Sequence, residues 1–227
     1  MTTLFLLRHG RSTANTAGVL AGRTPGVALD ETGIAQARGV GRRLAEVPLV
    51  AALTSPIQRC LETTGLVLAD RAVPVREEPG LAECDYGEWT GRTLKELAGE
   101  ELWKTVQRHP SAAVFPGGES MPQMYARAVT AVREAERGIR SEHGDNAAWL
   151  AVSHGDVIKS ILADALGLHL DNFQRIMVEP ASLSVINYTP QATFVVTMNQ
   201  TDGKPTDWIP KQETGDAVVG GGTGKQV

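Results

Sequence analysis

Continuous apolar runs and helical periodicities alternate along most of this chain. Leu4-Phe5-Leu6-Leu7 is apolar at every position, the pattern of a strand buried on both faces, and it stops at Arg8-His9-Gly10. Val50-Ala51-Ala52-Leu53-Thr54 reads as a second short buried strand. Trp149-Leu150-Ala151-Val152 reads as a third and ends at Ser153-His154-Gly155. Between these runs the apolar period becomes helical. A helix starting near Asp30 carries Ile34, Ala37, Val40 and Leu44 on one face until Pro48 stops it. Ser55-Pro56-Ile57-Gln58 reads as a helix start, with Ser55 as the cap, Pro56 in the first helical position and Gln58 closing a capping box. Ile57, Leu61, Thr64 and Leu68 keep one face of the helix that follows. Ser120-Met121-Pro122-Gln123 repeats the cap pattern ahead of a long helix through Met124, Ala128, Ala131, Ala135 and Ile139. Ile158, Ile161, Leu162 and Ala165 mark another helix after the third strand. Leu183-Ser184-Val185-Ile186-Asn187-Tyr188 and Thr193-Phe194-Val195-Val196-Thr197 look like a closing pair of strands.

Strands alternating with helices predict an α/β fold, a three-layer α/β/α sandwich around a mostly parallel sheet. In such sheets ligands bind beyond the carboxyl ends of the strands. Arg8 and His9 follow one strand, Arg59 falls in the first turn of the helix after another, and His154 ends a third, so all four are expected on one rim. The same reading divides the chain into a catalytic domain over 1–200 and a flexible polar, glycine-rich tail over 201–227. The tail's Gly220-Gly221-Gly222-Thr223-Gly224-Lys225 resembles a phosphate-binding loop. It fails as one, because Val219 stands where the first glycine is needed and Gln226 where Ser or Thr is needed.

Composition narrows the function. With 227 residues, 42% of them hydrophobic, the chain is large enough for one sizeable core. A net charge of −4 argues against nucleic acid as a partner, so an anionic ligand needs a local cluster of arginines. The two cysteines, Cys60 and Cys84, imply no disulfide framework and are expected to be small buried apolar residues. No apolar run approaches the length of a membrane span, and no secretory leader pattern opens the chain, so a cytoplasmic protein is expected.

Guanidinium forks grip phosphate oxygens and a neutral imidazole is a competent nucleophile, so the Arg8-His9 strand end, with a second strand ending at His154, points to phosphoryl chemistry. Arg8-His9-Gly10-Arg11-Ser12 with Asn15, then Ser55-Pro56 with Arg59, then Glu83, then Ser153-His154-Gly155 together resemble the histidine phosphatase superfamily. The branch concerned includes cofactor-dependent phosphoglycerate mutases and many small phosphatases. The resemblance implies a phosphoglycerate mutase-like fold, a phosphohistidine formed on His9, phosphoryl oxygens held by Arg8, Arg59 and His154, and Glu83 as proton donor. It implies no cofactor, and no acidic or Cys/His cluster in the sequence suggests a metal. A homodimer is compatible with it. Ser12 and Asn15 are read equally as further donors to the phosphate or as stabilisers of the turn, and the backbone amides of Gly10 and Gly155 as further donors. Arg11 and Arg23 are read as exposed surface arginines, the alternative being that they reach a second anionic group on the substrate.

The acid segment bears on the reaction. In phosphoglycerate mutases it resembles Glu-Arg-His-Tyr-Gly, followed by a longer basic insertion. Here it reads Glu83-Cys84-Asp85-Tyr86-Gly87, and the stretch from Gly91 to Gly118 is short. Asp85 in place of a basic residue is expected to repel a second phosphate or carboxylate. The expected activity is therefore metal-independent hydrolysis of a small phosphorylated metabolite, with no nucleic-acid or membrane partner. The alternatives are a phosphoglycerate mutase-type phosphotransferase and a non-catalytic binding protein on the same fold. Because Glu83 has to start protonated and His9 neutral, mildly acidic pH should favour the reaction.

Overall fold

The computed structural model describes residues 1–69, 71–202 and 206. In chain order its elements are β1 (Thr2–Arg8), α1 (Thr13–Ala17), α2 (Glu31–Leu44), β2 (Leu49–Thr54), α3 (Gln58–Leu68), β3 (Val75–Glu77), α4 (Leu94–Leu97), α5 (Glu101–Arg108), α6 (Met121–His143), β4 (Ala148–Ser153), α7 (Gly155–Ala165), β5 (Leu183–Tyr188) and β6 (Thr193–Gln200). The strands form one sheet in the order β3-β2-β4-β1-β5-β6. β3, β2, β4 and β1 run parallel, whereas β5 and β6 are antiparallel.

The unbroken apolar runs are explained by two cores, one on each face of the sheet. Successive side chains of β1 alternate between them: Leu4 and Leu6 pack with Trp149, Ala151 and the inner faces of α6 and α7, while Phe5 and Leu7 pack with Leu150, Val152 and the inner faces of α2 and α3. The molecule is the α/β/α sandwich that the alternation of elements predicts. Among the described residues no helix is long and apolar enough to cross a membrane.

Some expectations need correction. Ser55 does not cap α3; Ile57 is the cap residue, no side chain caps that helix, and α3 begins at Gln58. The Ser55 hydroxyl is used elsewhere, as described below. α2 ends at Leu44, ahead of Pro48, and the Arg71 guanidinium donates to the carbonyls of Leu44 and Val47 beside the helix end. The cap residue Ser120 stands where the sequence puts it, the helix expected near Asp30 has Asp30 as its cap, and α6 runs on past Ile139 to His143. β3, α1, α4 and α5 have no counterpart in the apolar pattern; β3 is exposed at all of its positions and so carries no periodic signal. The expected tail, apart from Thr201, Asp202 and Thr206, lies outside the described residues.

The turn after β1 is set by close packing on the first turn of α2. A methyl group added at Gly33 would lie 2.0 Å from the Arg11 carbonyl oxygen, and one at Gly10 would lie 2.6 Å from the Gly33 carbonyl oxygen. Gly33→Ala therefore forces the Arg11-Ser12 backbone away from α2. The expected outcome is a loss of about 1–3 kcal/mol in urea unfolding, together with reduced turnover, because the displaced turn carries His9. An unchanged midpoint would show that this contact does not set the turn.

Candidate active site

Strand register brings the two histidines together. In the β1–β4 pair Arg8 lies opposite Ser153, so His9 and His154 leave adjacent strand ends side by side, with ring centroids 5.2 Å apart. The His9 amide continues the ladder by donating to the Ser153 carbonyl at 3.0 Å. Arg59 comes from the first turn of α3, which follows β2, the neighbour of β4 on its other side. Glu83 comes from the irregular segment after β3. That segment is tied to the same rim by the Ser153 hydroxyl, which donates to the Leu81 carbonyl at 2.7 Å.

One buried guanidinium links these groups. Arg59, only 2% exposed, donates from Nε to His9 Nε2 at 3.2 Å and from Nη2 to His154 Nδ1 at 3.0 Å. His9 Nδ1–H donates to its neighbour's carbonyl, Gly10 O, at 2.7 Å. This fixes the tautomer with the Nε2 lone pair turned to Arg59 and the site. His154 is held in the opposite sense, its Nε2–H donating to Ser55 Oγ at 2.8 Å. Burial, and then the positive charges of Arg59 and Arg8, hold His9 well below the usual imidazole range; burial, Arg59, His9 and Arg8 do the same to His154. Both rings are neutral at pH 7.

The Glu83 carboxyl lies 3.7 Å from His154 Nδ1 and 3.8 Å from Arg59 Nη2. Burial raises its pKa from 4.5 to about 7, helped by the charge of Asp156 and opposed by Arg59, the Cys84 amide and Arg8. Of the glutamates near it in sequence, Glu77 and Glu88 are exposed and Glu78 caps Gly80. Glu83 alone of the four lines the cavity of 380 Å³ shared by Arg8, His9 and Arg59.

Two of the donors in this cavity wall have no acceptor. Arg8 gives Nη1 to the Val178 carbonyl at 2.6 Å, but its Nε is buried without a partner, as is Arg59 Nη1. A buried guanidinium N–H left unpaired costs about 1–3 kcal/mol, so these groups are organised for an anion.

Not every expected phosphate donor is placed for that role. The Gly10 amide donates to Thr63 Oγ1 at 3.1 Å, a satisfied bond away from the cavity. Ser12 and Asn15 line the cavity, yet they form the reciprocal capping box of α1, with the Ser12 hydroxyl donating to Asn15 Oδ1 at 3.0 Å. Gly155 lines the cavity at the start of α7. Arg11 pairs with Asp30 at 2.7 Å, and Arg23 donates to the Glu83 carbonyl at 2.9 Å, so neither extends the site. Asp85 faces Arg23 at 3.8 Å and is absent from the cavity wall. Besides Glu83, the carboxylates that line it are Glu179 and, missed in the sequence, Asp156. It accepts the Tyr86 hydroxyl at 2.9 Å and pairs with Lys159 at 3.4 Å. Tyr86, Trp89 and Phe115 belong both to the core and to the cavity wall. Cys60 and Cys84 are buried; burial pushes the Cys60 thiol up to about 12 and the Cys84 thiol higher still.

Over residues 4–201 the chain matches the histidine phosphatase superfamily (branch 1). It is 27% identical, over 86% of its length and 95% of the other's, to a protein from Escherichia coli named adenosylcobalamin/alpha-ribazole phosphatase. It is 32% identical, over 86% of its length and 89% of the other's, to a protein from Gloeobacter violaceus named 2,3-bisphosphoglycerate-dependent phosphoglycerate mutase 2. The crystal structure of the alpha-ribazole phosphatase from Shigella flexneri superposes with a TM-score of 0.75 at 27% identity, covering 88% of this chain and 96% of that one.

The histidine tautomers are directly measurable. In phosphate-free buffer, nitrogen NMR should find His9 protonated on Nδ1 alone and His154 on Nε2 alone. Neither ring should titrate as the pH falls from 8 through about 6.5, where a solvated imidazole gains its proton. A midpoint near 6.5 at either ring would contradict the buried, arginine-flanked arrangement.

Proposed function

Because the chain belongs to branch 1 of the histidine phosphatase superfamily and is an enzyme of the phosphatase type, we propose that it hydrolyses small phosphomonoesters in the cytoplasm through a phosphohistidine on His9. The observation that carries this reading is the pair of unpartnered buried guanidinium nitrogens, Arg8 Nε and Arg59 Nη1, beside a neutral imidazole whose Nε2 lone pair is held toward the same cavity.

An arriving phosphoryl dianion competes with the histidines for the Arg59 donors. As the guanidinium turns to the phosphate oxygens, the Nε2 lone pair of His9 is released to attack phosphorus. The equatorial oxygens are neutralised by Arg8 and Arg59, the stabilisation on which phosphoryl transfer mainly depends. His154 Nδ1 holds a lone pair in the free enzyme, so it grips a phosphoryl oxygen only after gaining a second proton, which the bound dianion favours. Glu83 enters protonated and gives its proton to the departing alkoxide as the ester P–O bond breaks; general acid help of this kind is worth about 10²–10⁴-fold. Glu83, now a carboxylate, takes a proton from the water that attacks the phosphohistidine, and the cycle returns His9 and inorganic phosphate.

Hydrolysis is favoured over mutase chemistry by the charge in the outer cavity wall. Beyond Arg8 and Arg59 the cation lining it is Lys159, whose ammonium is engaged by Asp156 and by Gln174 Oε1 at 3.0 Å. A second anionic group on the substrate would have to displace the Asp156 carboxylate. The expected result is steady phosphate release from simple monoesters, abolished in His9→Ala, with 3-phosphoglycerate interconversion far slower. Faster interconversion than release would establish the mutase reading, and equal negligible turnover in both proteins would establish a binding role.

The pH dependence tests the acid. Activity requires neutral His9 and protonated Glu83, so kcat/KM should fall as pH rises through the Glu83 value of about 7. Asp156 raises that value by charge repulsion, so Asp156→Asn should move the alkaline limb to lower pH. A limb that stays in place would mean that another group controls it.

A further inference from the structure

Glu83 belongs to no helix or strand. It lies between a single helical turn at Pro79–Leu81 and another at Gly87–Trp89, so no regular ladder fixes the backbone that carries its carboxyl. Two side chains that do not line the cavity do so instead. Arg127, in α6, donates from Nη1 to the carbonyls of Gly80 at 2.8 Å and Ala82 at 2.7 Å, and from Nη2 to the carbonyl of Glu83 itself at 3.0 Å. Its remaining donors form a fork on Glu119, Nε to Oε2 at 3.0 Å and Nη2 to Oε1 at 2.6 Å. All the guanidinium N–H groups are thereby used. Glu119 then accepts the Asp85 amide at 2.9 Å, so the segment is gripped on both sides of Glu83. Arg23 reinforces the grip from the opposite side through the Glu83 carbonyl and Glu119 Oε1.

Backbone packing presses the same segment against α6 and the loop before it. A methyl group at Gly80 would lie 2.5 Å from the Ala131 Cβ, and one at Gly118 would lie 2.2 Å from the Asp85 carbonyl oxygen. This is more restraint than an exposed connection needs, and it converges on the residue assigned to proton transfer. We propose that Arg127, seated on Glu119, is a positioning residue that holds the Glu83 carboxyl in register with the leaving-group oxygen. The proposal rests on the reading of Glu83 as the general acid. A displacement of about 1 Å in such a group can cost about 10²-fold in rate. Lysine cannot replace the arginine, because one ammonium does not span three carbonyls and a carboxylate in a fixed plane.

The leaving group provides the test. 4-Nitrophenolate departs without a proton, whereas the alkoxide of ethyl phosphate needs one. kcat/KM for both esters reports phosphoryl transfer to His9 and excludes the hydrolysis step that they share. In the full chain, Arg127→Lys should lower kcat/KM for ethyl phosphate by about tenfold or more while leaving that for 4-nitrophenyl phosphate within about threefold. Inorganic phosphate should inhibit the variant as it does the parent. Should Arg127→Lys fail to fold, Glu119→Gln, which removes the charge beneath the fork, carries the same comparison. Equal losses on the two esters, or no loss on either, would overturn the proposal. Glu83→Gln separates the two failures: if it shows the selective loss and the Arg127 variant does not, the positioning role alone falls. If Glu83→Gln shows no selectivity, the acid assignment falls and the positioning role with it.

Discussion

The organisation of the site depends on a single buried cation. Arg59 sits almost wholly out of water, and its immediate partners are two imidazoles, the Gly22 carbonyl and a carboxyl group at 3.8 Å. A buried charge is tolerated only when it is well paired. Here the pairing is incomplete, because both imidazoles are neutral and burial works to keep the carboxyl protonated. The guanidinium thus orients three reactive groups without being neutralised by any of them. That leaves a positive, partly unsatisfied pocket, which the phosphoryl dianion of the proposed reaction would complete.

Holding such an arrangement requires a scaffold that does not relax around it. The ends of β1, β2 and β4 supply one, since their strands are apolar on both faces and are covered by α6 and α7 on one side and by α2 and α3 on the other. Burial of those side chains is worth roughly 25 cal/mol per Å² of apolar surface, which offsets the unpaired donors at the rim. His9 and His154 need no loop to place them. The parallel register of β1 and β4 sets their positions relative to each other.

What could be read from the sequence follows from that distinction. Arg8, His9, Arg59 and His154 were legible because each sits directly at the end of a strand or in the first turn of a helix, where period and topology together fix position. Glu83 is legible as a member of a motif, but what holds it is not. Arg127 and Glu119 reach it from α6 and the loop ahead of it, and nothing local marks a side chain that bonds carbonyls 44 to 47 residues away. Ser55 misled for the same reason. Ser-Pro-x-Gln has the form of a helix cap, yet its hydroxyl is claimed by His154, 99 residues on. Asp85 carried the expected repulsion in sequence, but Arg23 draws it aside and Asp156 takes the place in the cavity wall.

The tension between Arg59 and Asp156 at Glu83 bears on the whole cycle. A carboxyl at its ordinary pKa would be ionised at pH 7 and could serve only as a base. One raised far above 7 would donate its proton but would recover it too strongly to release it again. Burial and Asp156 push Glu83 up, Arg59 and Arg8 pull it down, and the balance falls near 7. There a group acts as acid and base with comparable ease, since the catalytic optimum lies where pKa and working pH meet. A double-displacement hydrolysis asks for both, a proton given to the leaving alkoxide and then one taken from water. In the proposed reaction the arginine that holds the nucleophile His9 would thereby limit how far the affinity of Glu83 for its proton can rise, so one buried charge would tune both halves.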